Sequence, residues 1–352
     1  MSLRLGYWLP VFGGWLRNVD DEGMSATWEY VRDLAVRSER QGFDLTLIAE
    51  LQLNDIKGPE APALDAWSTA AALAAVTRTL ELMVAVRPTF HHPALLAKQA
   101  ANVGRISGGR LSLNVVSSWW RDEAEQYGIA FDEHEARYAR TEEWLRVVSG
   151  LWSRPVFSHR GDHYRIENAV LEPKPLRRPR PTIYAGGESE TAKDLIARDA
   201  DAYVMHGDPP ERIRDKIADL KARRERWAPD AGPLRFGVAG FVVCRDSEAE
   251  ARRELERITD VHASARGYAN YTQWVAGTRL EQRVSLEDYS VSNRGLRSGL
   301  VGTPEHIAER LGEFERAGAD LVLLQFSPQA EEMERFGQEV VPLLGRRAEA
   351  VA

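Results

Sequence analysis

The sequence is poor in cysteine and contains no long apolar run. Cys244 is the single cysteine among 352 residues, which excludes an internal disulfide and favours a reducing compartment. No stretch approaches the roughly 20 consecutive apolar residues of a membrane span. The first residues, MSLRLGYWLP, lack the charged segment and apolar run of a signal peptide. We therefore expect a cytoplasmic protein that does not bind a membrane.

An excess of positive charge is also missing. The formal net charge is -7, so no basic surface indicates nucleic-acid binding. The chain is 43% hydrophobic and 28% charged, which is typical of a soluble globular protein. At this length, one large barrel or two smaller domains are both compatible with the composition.

Three common catalytic patterns are absent. The eight histidines form no H-x-x-x-H pair and no cluster with carboxylates at ligand spacing, so we expect no metal site. No serine or cysteine lies in a sharp Gly-rich turn that would present a nucleophile. Gly13 and Gly14 are too sparse for a dinucleotide-binding turn after the first strand. Enzymes without these groups often leave the chemistry to an organic cofactor.

Short apolar runs alternate with helical patterns along most of the chain, with a period of about thirty residues in the first half that is typical of βαβ units. Continuous apolar strands of this kind are expected in a parallel sheet that is buried on both faces. The pattern predicts a single-domain α/β protein over residues 1–352, a closed (β/α)8 TIM barrel with insertions, rather than an open doubly wound sheet. The eight predicted strands are residues 3–10, 43–50, 80–88, 111–116, 182–187, 202–206, 234–243 and 321–326.

Two stretches interrupt this rhythm. Residues 156–173 alternate around Gly161 and Asp162, which predicts a β-hairpin insertion. Residues 260–301 show no clear period and contain several glycines, and long irregular runs inside compact domains are usually functional or disordered. Because this run lies between the seventh and eighth strand units, we expect a lid-like insertion over the mouth of the barrel, with a surface excursion serving subunit contacts as the alternative.

Ligands of a parallel barrel lie at the exits of its strands, and two exits here are distinctive. Asn114 and the stretch from Ser117 to Glu123 crowd the end of the fourth strand with polar and aromatic side chains. Gly186, Gly187 and Ser189 follow the fifth strand and begin a helix, whose free N–H groups and dipole attract phosphate. Each also has a purely structural interpretation: a strand that turns into a helix capped by Ser118, and an ordinary turn with a capping serine.

Several motifs spread over nearly the whole chain resemble those of the flavin-dependent luciferase-like monooxygenases, most of all the dimethyl sulfone and alkanesulfonate monooxygenases. They are G-Y-W-L-P at the start, A-V-R-P at 85–88, H-P-A-L-L-A-K-Q-A at 92–100, I-S-G-G-R at 106–110, N-V-V-S-S-W at 114–119, E-x-R-Y at 135–138, G-D-H-Y at 161–164, G-G-x-S at 186–189 and L-V-G-T-P at 300–304.

The resemblance implies a two-component system in which a separate flavin reductase supplies reduced FMN, which reacts with oxygen to give a flavin peroxide. It implies a homodimer or a homotetramer. It also implies that the flavin ring region meets Glu50, Leu51, Asn114 and Glu123, and that the FMN phosphate is held by Arg137, Tyr138, Gly187 and Ser189. The last four residues include the glycine–serine turn for which residue chemistry alone offered anion binding as one interpretation.

On the substrate side the chain departs from the alkanesulfonate enzymes, which carry an arginine and a histidine in the seventh strand where this chain has Ala239 and Phe241. A sulfonate is a full anion that needs charge-assisted donors, so the departure favours a less charged organosulfur substrate, with C–S cleavage as one outcome. A deazaflavin-dependent oxidoreductase and a non-catalytic flavin-binding relative are the alternatives.

The expected catalytic residues are Arg87, His91, His92, Trp119, His206, Arg294 and Arg297.

Overall fold

The computed structural model describes residues 3–263, 266–282 and 284–345. The single-domain prediction therefore extends beyond the described part at residues 1–2, 264–265, 283 and 346–352. In chain order the strands are β1 (Arg4–Trp8), β2 (Leu45–Ile48), β3 (Glu81–Val86), β4 (Leu111–Val115), β5 (Phe157–Arg160), β6 (Arg165–Ala169), β7 (Thr182–Ala185), β8 (Ala202–Met205), β9 (Arg235–Phe241), β10 (Val243–Cys244), β11 (Val301–Gly302) and β12 (Leu321–Gln325).

The helices alternate with these strands along the chain. They are α1 (Trp28–Ser38), α2 (Ala66–Val76), α3 (Pro93–Ile106), α4 (Arg121–Gln126), α5 (His134–Ser153), α6 (Glu190–Asp199), α7 (Pro210–Trp227), α8 (Glu248–Ile258), α9 (Tyr271–Gly277), α10 (Leu286–Tyr289), α11 (Pro304–Ala317) and α12 (Gln329–Glu339), with 3-10 helices at Arg266–Tyr268, Ser292–Ser298 and Val341–Leu344. None of the helices within the described ranges is both long and apolar enough to cross a membrane.

Eight of the strands close into a parallel barrel in the order β1, β12, β9, β8, β7, β4, β3, β2. The first and last barrel strands pair in register, with Arg4 opposite Leu321 and Tyr7 opposite Leu324. This arrangement confirms the predicted (β/α)8 TIM barrel, and all eight predicted runs contain a barrel strand. The predicted runs were longer than the strands because the sequence marks where apolar residues end and not where hydrogen bonding stops.

Side chains point alternately into and out of the barrel along each strand, so the core has two layers. Leu45, Met83, Tyr184 and Leu323 belong to a small cluster inside the barrel, whereas the residues between them pack outward against the helices. Gly6 lies in the inner layer, where an added Cβ would come within 2.7 Å of the Leu45 side chain. A glycine in β1 therefore leaves room for the leucines that fill the barrel interior.

The two irregular stretches form small additions to the barrel. Strands β5 and β6 pair as an antiparallel hairpin, which Glu143 holds by accepting hydrogen bonds from the backbone N–H groups of His163 at 2.9 Å and Tyr164 at 2.7 Å. The other addition, described at residues 266–282 and 284–298, consists of α9, α10 and two 3-10 helices. We call it the cover segment, because its residues form one wall of the cavity described below.

The stretch after β4 differs from the structural alternative that the sequence left open. Ser118 does not cap a helix: it has a left-handed backbone with φ of 54°, and α4 begins three residues later. A non-glycine residue in this region is strained and is often found at functional sites. The left-handed turn separates Ser117 from the indoles of Trp119 and Trp120, which stack with ring centroids 5.4 Å apart and planes 4° apart.

Candidate functional site

A cavity of about 280 Å³ lies at the carboxyl ends of the barrel strands, where active sites of parallel barrels are found. Its floor is made by the last inward-facing residues of the strands. The cover segment and the loop after β1 complete its walls. The floor residues are Trp8, Leu47, Ala85, Asn114, Val204 and Ala239.

The turn after β7 forms one end of the cavity. Ser189 caps α6 and its hydroxyl accepts a hydrogen bond from the N–H of Ala192 at 3.2 Å. Gly187 has φ of 146°, and a Cβ there would lie 2.7 Å from the Cβ of Ala192 and 2.9 Å from the hydroxyl of Tyr138. A glycine is required at this position, and it lets a ligand approach the backbone and the N-terminus of α6.

Arg137 and Tyr138 of α5 reach the same end of the cavity. Arg137 is buried and donates to two carbonyl oxygens, Ser117 O from Nε at 3.2 Å and Asp132 O from Nη1 at 2.8 Å. It forms no ion pair within the described residues, and burial lowers its pKa from the ordinary value. A buried guanidinium without a carboxylate partner beside a helix N-terminus provides the charge and the donors that an anion requires.

At the wall of the cavity, Arg87 forms a buried network with two glutamates. Its guanidinium forms a bidentate pair with Glu123 and lies 4.0 Å from the ring centroid of Phe90. Glu123 also accepts the N–H groups of Gln52 at 2.5 Å and Leu53 at 3.3 Å. Glu123 thus fixes both Arg87 and the loop after β2, and it does not line the cavity.

Glu50 completes this network from the cavity side. Its Oε2 accepts the backbone N–H of Arg87 at 2.8 Å, and its Oε1 lies 2.5 Å from Nε2 of His91. The Glu50 side chain is 2% exposed. The polar wall at this side of the cavity is therefore held rigidly by residues that stand behind it.

The cover segment is attached to the barrel by a second buried charge network. Arg294 pairs with Glu188, the residue between Gly187 and Ser189. Lys216 donates to Glu188 at 2.9 Å and to Asp208 at 2.6 Å. Burial alone would raise the pKa of Glu188, but His206, Arg294 and Lys216 hold that pKa far below its ordinary range. The carboxylate of Glu188 is therefore ionised and committed to these cations.

Aromatic side chains line the end of the cavity away from the Ser189 turn. They come from β1, the loop after it and the cover segment: Trp8, Phe12, Trp15, Trp274 and Tyr289. The guanidinium of Arg17 lies 3.8 Å from the ring centroid of Tyr289 and pairs with Asp55 at 2.5 Å. The buried Trp8 Nε1 and Tyr289 Oη have no hydrogen-bond partner in the described part of the chain. Aromatic rings dominate this end, the charges of Arg17 and Asp55 pair with each other, and Trp8 and Tyr289 offer neutral donors.

The structure brings most of the predicted site residues together in one cavity. Those that line it are Glu50, Leu51, Arg87, Asn114, Trp119, Arg137, Tyr138, Gly187, Ser189, His206 and Arg294. Four lie outside it. Glu123 and His91 stand behind the wall. His92 is exposed at the start of α3 and packs on the ring of Tyr164 at 5.9 Å. Arg297 pairs with Asp288 inside the cover segment at 2.6 Å.

Several lining residues were missed by sequence reasoning. Arg17, Asp55 and Glu188 are charged residues in loops, and the sequence alone does not show that each lies beside an oppositely charged partner far away in the chain. His134 stands one residue before the E-x-R-Y motif and its ring centroid is 4.9 Å from that of Tyr138. Its proximity to that motif was the signal that could have identified it.

The fold and cavity together define a parallel-barrel protein whose strand exits present a glycine turn, a helix N-terminus and a buried arginine. A family model described as "Luciferase-like monooxygenase" matches residues 4–321. The chain therefore belongs to the luciferase-like monooxygenase family, which confirms the resemblance seen in the sequence.

Individual relatives agree with this assignment. The chain is 34% identical over 351 residues to an FMNH(2)-dependent dimethylsulfone monooxygenase of Pseudomonas putida, covering 97% of this chain and 95% of the relative. It is 35% identical over 369 residues to the enzyme of that name from Pseudomonas fluorescens (strain Pf0-1), covering 100% and 96%. A crystal structure of long-chain alkane monooxygenase superposes with a TM-score of 0.83 at 20% identity, covering 100% of this chain and 94% of the other, which supports the fold.

Proposed function

We propose that the protein is a two-component monooxygenase that uses reduced FMN and oxygen to oxidise an uncharged organosulfur compound, a sulfone. Support comes from the names of the two Pseudomonas relatives and from the charges of the cavity. A separate flavin reductase would supply the reduced FMN, and the expected homodimer or homotetramer belongs to the same proposal.

The residues at the Ser189 turn fit the FMN phosphate. Gly187 leaves the space that a Cβ would fill, and the guanidinium of Arg137 lacks a carboxylate partner in the described structure. Asn114 adds a buried Oδ1 that has no partner in those residues, which suits a ring N–H. FMN bound in its reduced form would supply the two electrons that oxygen activation requires. Glu50, Leu51 and Asn114 would border its ring.

The observation that supports an uncharged substrate is that the arginines lining the cavity pair with carboxylates. Arg17, Arg87, Arg279 and Arg294 each line the cavity and each pair with a carboxylate. Arg137 is the exception among the described lining arginines, and it stands at the phosphate turn. A second anion would therefore meet neutralised guanidinium groups, whereas sulfone oxygens can accept hydrogen bonds from neutral donors such as Trp8 Nε1 and Tyr289 Oη.

The assay for this function measures oxygen consumption with a flavin reductase, FMN and either dimethyl sulfone or methanesulfonate. We expect oxygen to be coupled to organic product with the sulfone, and to be released mainly as hydrogen peroxide with the sulfonate. Preferential oxidation of methanesulfonate would contradict the uncharged substrate. Absence of any FMN-dependent product formation across sulfones and sulfonates would instead support a non-catalytic flavin-binding relative.

Asn114→Ala is expected to lower turnover roughly tenfold, as for the loss of one or two hydrogen bonds to a bound ligand. Its Oδ1 bonds to nothing in the described chain, so the free energy of unfolding should change by less than about 1 kcal/mol. Steady-state kinetics and urea unfolding test both expectations. Ser112→Ala is the control, because Ser112 lies two residues earlier in β4 and its hydroxyl also has no described partner. This substitution should change neither turnover nor stability. An inactive Ser112→Ala or a fully active Asn114→Ala would contradict the role of Asn114.

The cover segment is proposed to act as a lid that seals the cavity from water during the reaction. Gly277 supports this role, because an added Cβ would meet the carbonyl oxygen of Trp119 at 2.4 Å, so the segment lies directly on the Trp119 turn. Limited proteolysis should cut the segment readily in the protein without FMN and slowly with FMN and sulfone. Equal cleavage in the two states would rule out the lid and favour the subunit-contact alternative.

A further inference from the structure

Glu50 is a carboxylate that faces the cavity but is closed off from solvent. Its side chain is 2% exposed, and its Oε2 is occupied by the backbone N–H of Arg87 at 2.8 Å. The guanidinium of Arg87 is turned away toward Glu123, and Arg87 Nε lies 3.7 Å from Glu50 Oε2. The remaining oxygen, Oε1, is therefore the atom of Glu50 through which a proton can arrive from outside the cavity.

His91 holds that oxygen and is the member of this cluster that reaches the surface. Its Nε2 lies 2.5 Å from Glu50 Oε1 and its side chain is 21% exposed, whereas Arg87 and Glu123 are enclosed. The position of His91 is fixed, because its carbonyl accepts the indole N–H of Trp144 at 2.9 Å and its ring lies 6.3 Å from that of Trp67.

His91 contacts Glu50, Arg87 Nε lies 3.7 Å from Glu50 Oε2, and the guanidinium of Arg87 pairs with Glu123. The structural arrangement is therefore a partly exposed imidazole joined to a cavity carboxylate by one hydrogen bond, the type of arrangement through which protons move between a surface and a closed site.

We infer that His91 passes protons between solvent and Glu50, and that Glu50 presents them to the cavity. The inference rests on the proposed function. In that reaction one oxygen atom joins the substrate, the other leaves as water, and reduced FMN that enters as its anion requires one proton: FMNH⁻ + H⁺ + O₂ + substrate gives FMN, oxygenated substrate and H₂O. The proton moves from His91 Nε2 to Glu50 Oε1 and from Glu50 to the departing oxygen, and His91 regains one from water. His91 acts through Glu50 and is a positioning residue.

His91→Gln tests this role, because the glutamine amide can still donate to Glu50 but cannot carry a proton. We expect kcat to fall at least about tenfold, within the range of proton-transfer catalysis, while KM and the affinity for oxidised FMN remain as in the wild type. The pH profile of kcat should differ between the wild type and the variant, because only the wild type has an ionisable side chain at this position. Free imidazole should restore turnover to His91→Ala.

His159→Gln is the matched control, since His159 also pairs with a glutamate, Glu143 at 3.0 Å, but on the hairpin outside the cavity; its kinetics should not change. Wild-type kcat and an unchanged pH profile in His91→Gln would overturn the inference, as would a loss of FMN affinity that accounts for the lower rate. If the wild-type protein forms no product with reduced FMN, the proposed function fails and this step with it, whereas an active wild type with an unaffected variant refutes the proton path alone.

Discussion

The double substitution Arg137→Ala, Ser189→Ala is expected to weaken FMN binding by roughly 2–4 kcal/mol, the loss expected for charge-assisted hydrogen bonds. This corresponds to about a 30- to 1000-fold higher Kd. Arg137 is the described lining arginine without a carboxylate partner, and Ser189 begins α6 beside it, so the substitutions remove the positive charge and one hydroxyl from the same anion site. Quenching of flavin fluorescence during titration with the apoprotein measures the change.

A control substitution on the same helix tests whether FMN binding depends on the cavity arginine or on any positive charge nearby. Arg140 lies one turn after Arg137 and pairs with Asp132 at 2.7 Å, and it does not line the cavity. Arg140→Ala should leave the Kd for FMN within about twofold, as for a partly exposed pair. Because Ser189 also caps α6, its replacement should cost about 1 kcal/mol of stability, so urea unfolding must show that the double variant is folded. An unchanged Kd in a folded double variant would place the phosphate elsewhere.

Glu123→Ala is expected to lower the free energy of unfolding by about 3–5 kcal/mol, which is the usual cost of removing one partner of a buried ion pair. Glu123 is fully buried and Arg87 is 1% exposed, so the guanidinium would lose its main counterion, and the N–H groups of Gln52 and Leu53 would lose their acceptor. Urea unfolding followed by circular dichroism gives the change in free energy.

Two further variants make this result specific. Glu313→Ala removes a partly exposed pair with Arg310 at 2.7 Å and should cost less than about 1 kcal/mol. Arg87→Met combined with Glu123→Leu removes both buried charges and should be more stable than Glu123→Ala alone. A loss below about 1 kcal/mol in Glu123→Ala would show that the network contributes little to stability.

The sequence predicted the barrel because each of its strands is a short apolar run with a helical pattern behind it, and burial on both faces leaves few other arrangements. Ser189 was equally predictable, since a capping residue and the glycines before it act locally. These features depend on residues close together in the chain.

The orientation of side chains at the site could not be predicted in the same way. Glu123 was expected beside the flavin ring, but it turns toward Arg87, 36 residues earlier. His91 and His92 are adjacent and chemically identical, yet one contacts Glu50 and the other is exposed on Tyr164. Only the packing of β2, β3 and α5 around them distinguishes the two, and that packing is long-range. The pairing of Arg294 with Glu188 could not be predicted from the sequence for the same reason.

The pairing of β12 with both β1 and β9 has a consequence for how the chain is made. Until residues 321–325 have left the ribosome, β1 and β9 each retain an edge with unsatisfied backbone donors and acceptors, and such edges recruit other strands. The nascent protein therefore spends most of its synthesis as an unclosed sheet. Chains that stop short of residue 321 should accumulate in inclusion bodies or require chaperones, even though they contain every residue that we place in the cavity.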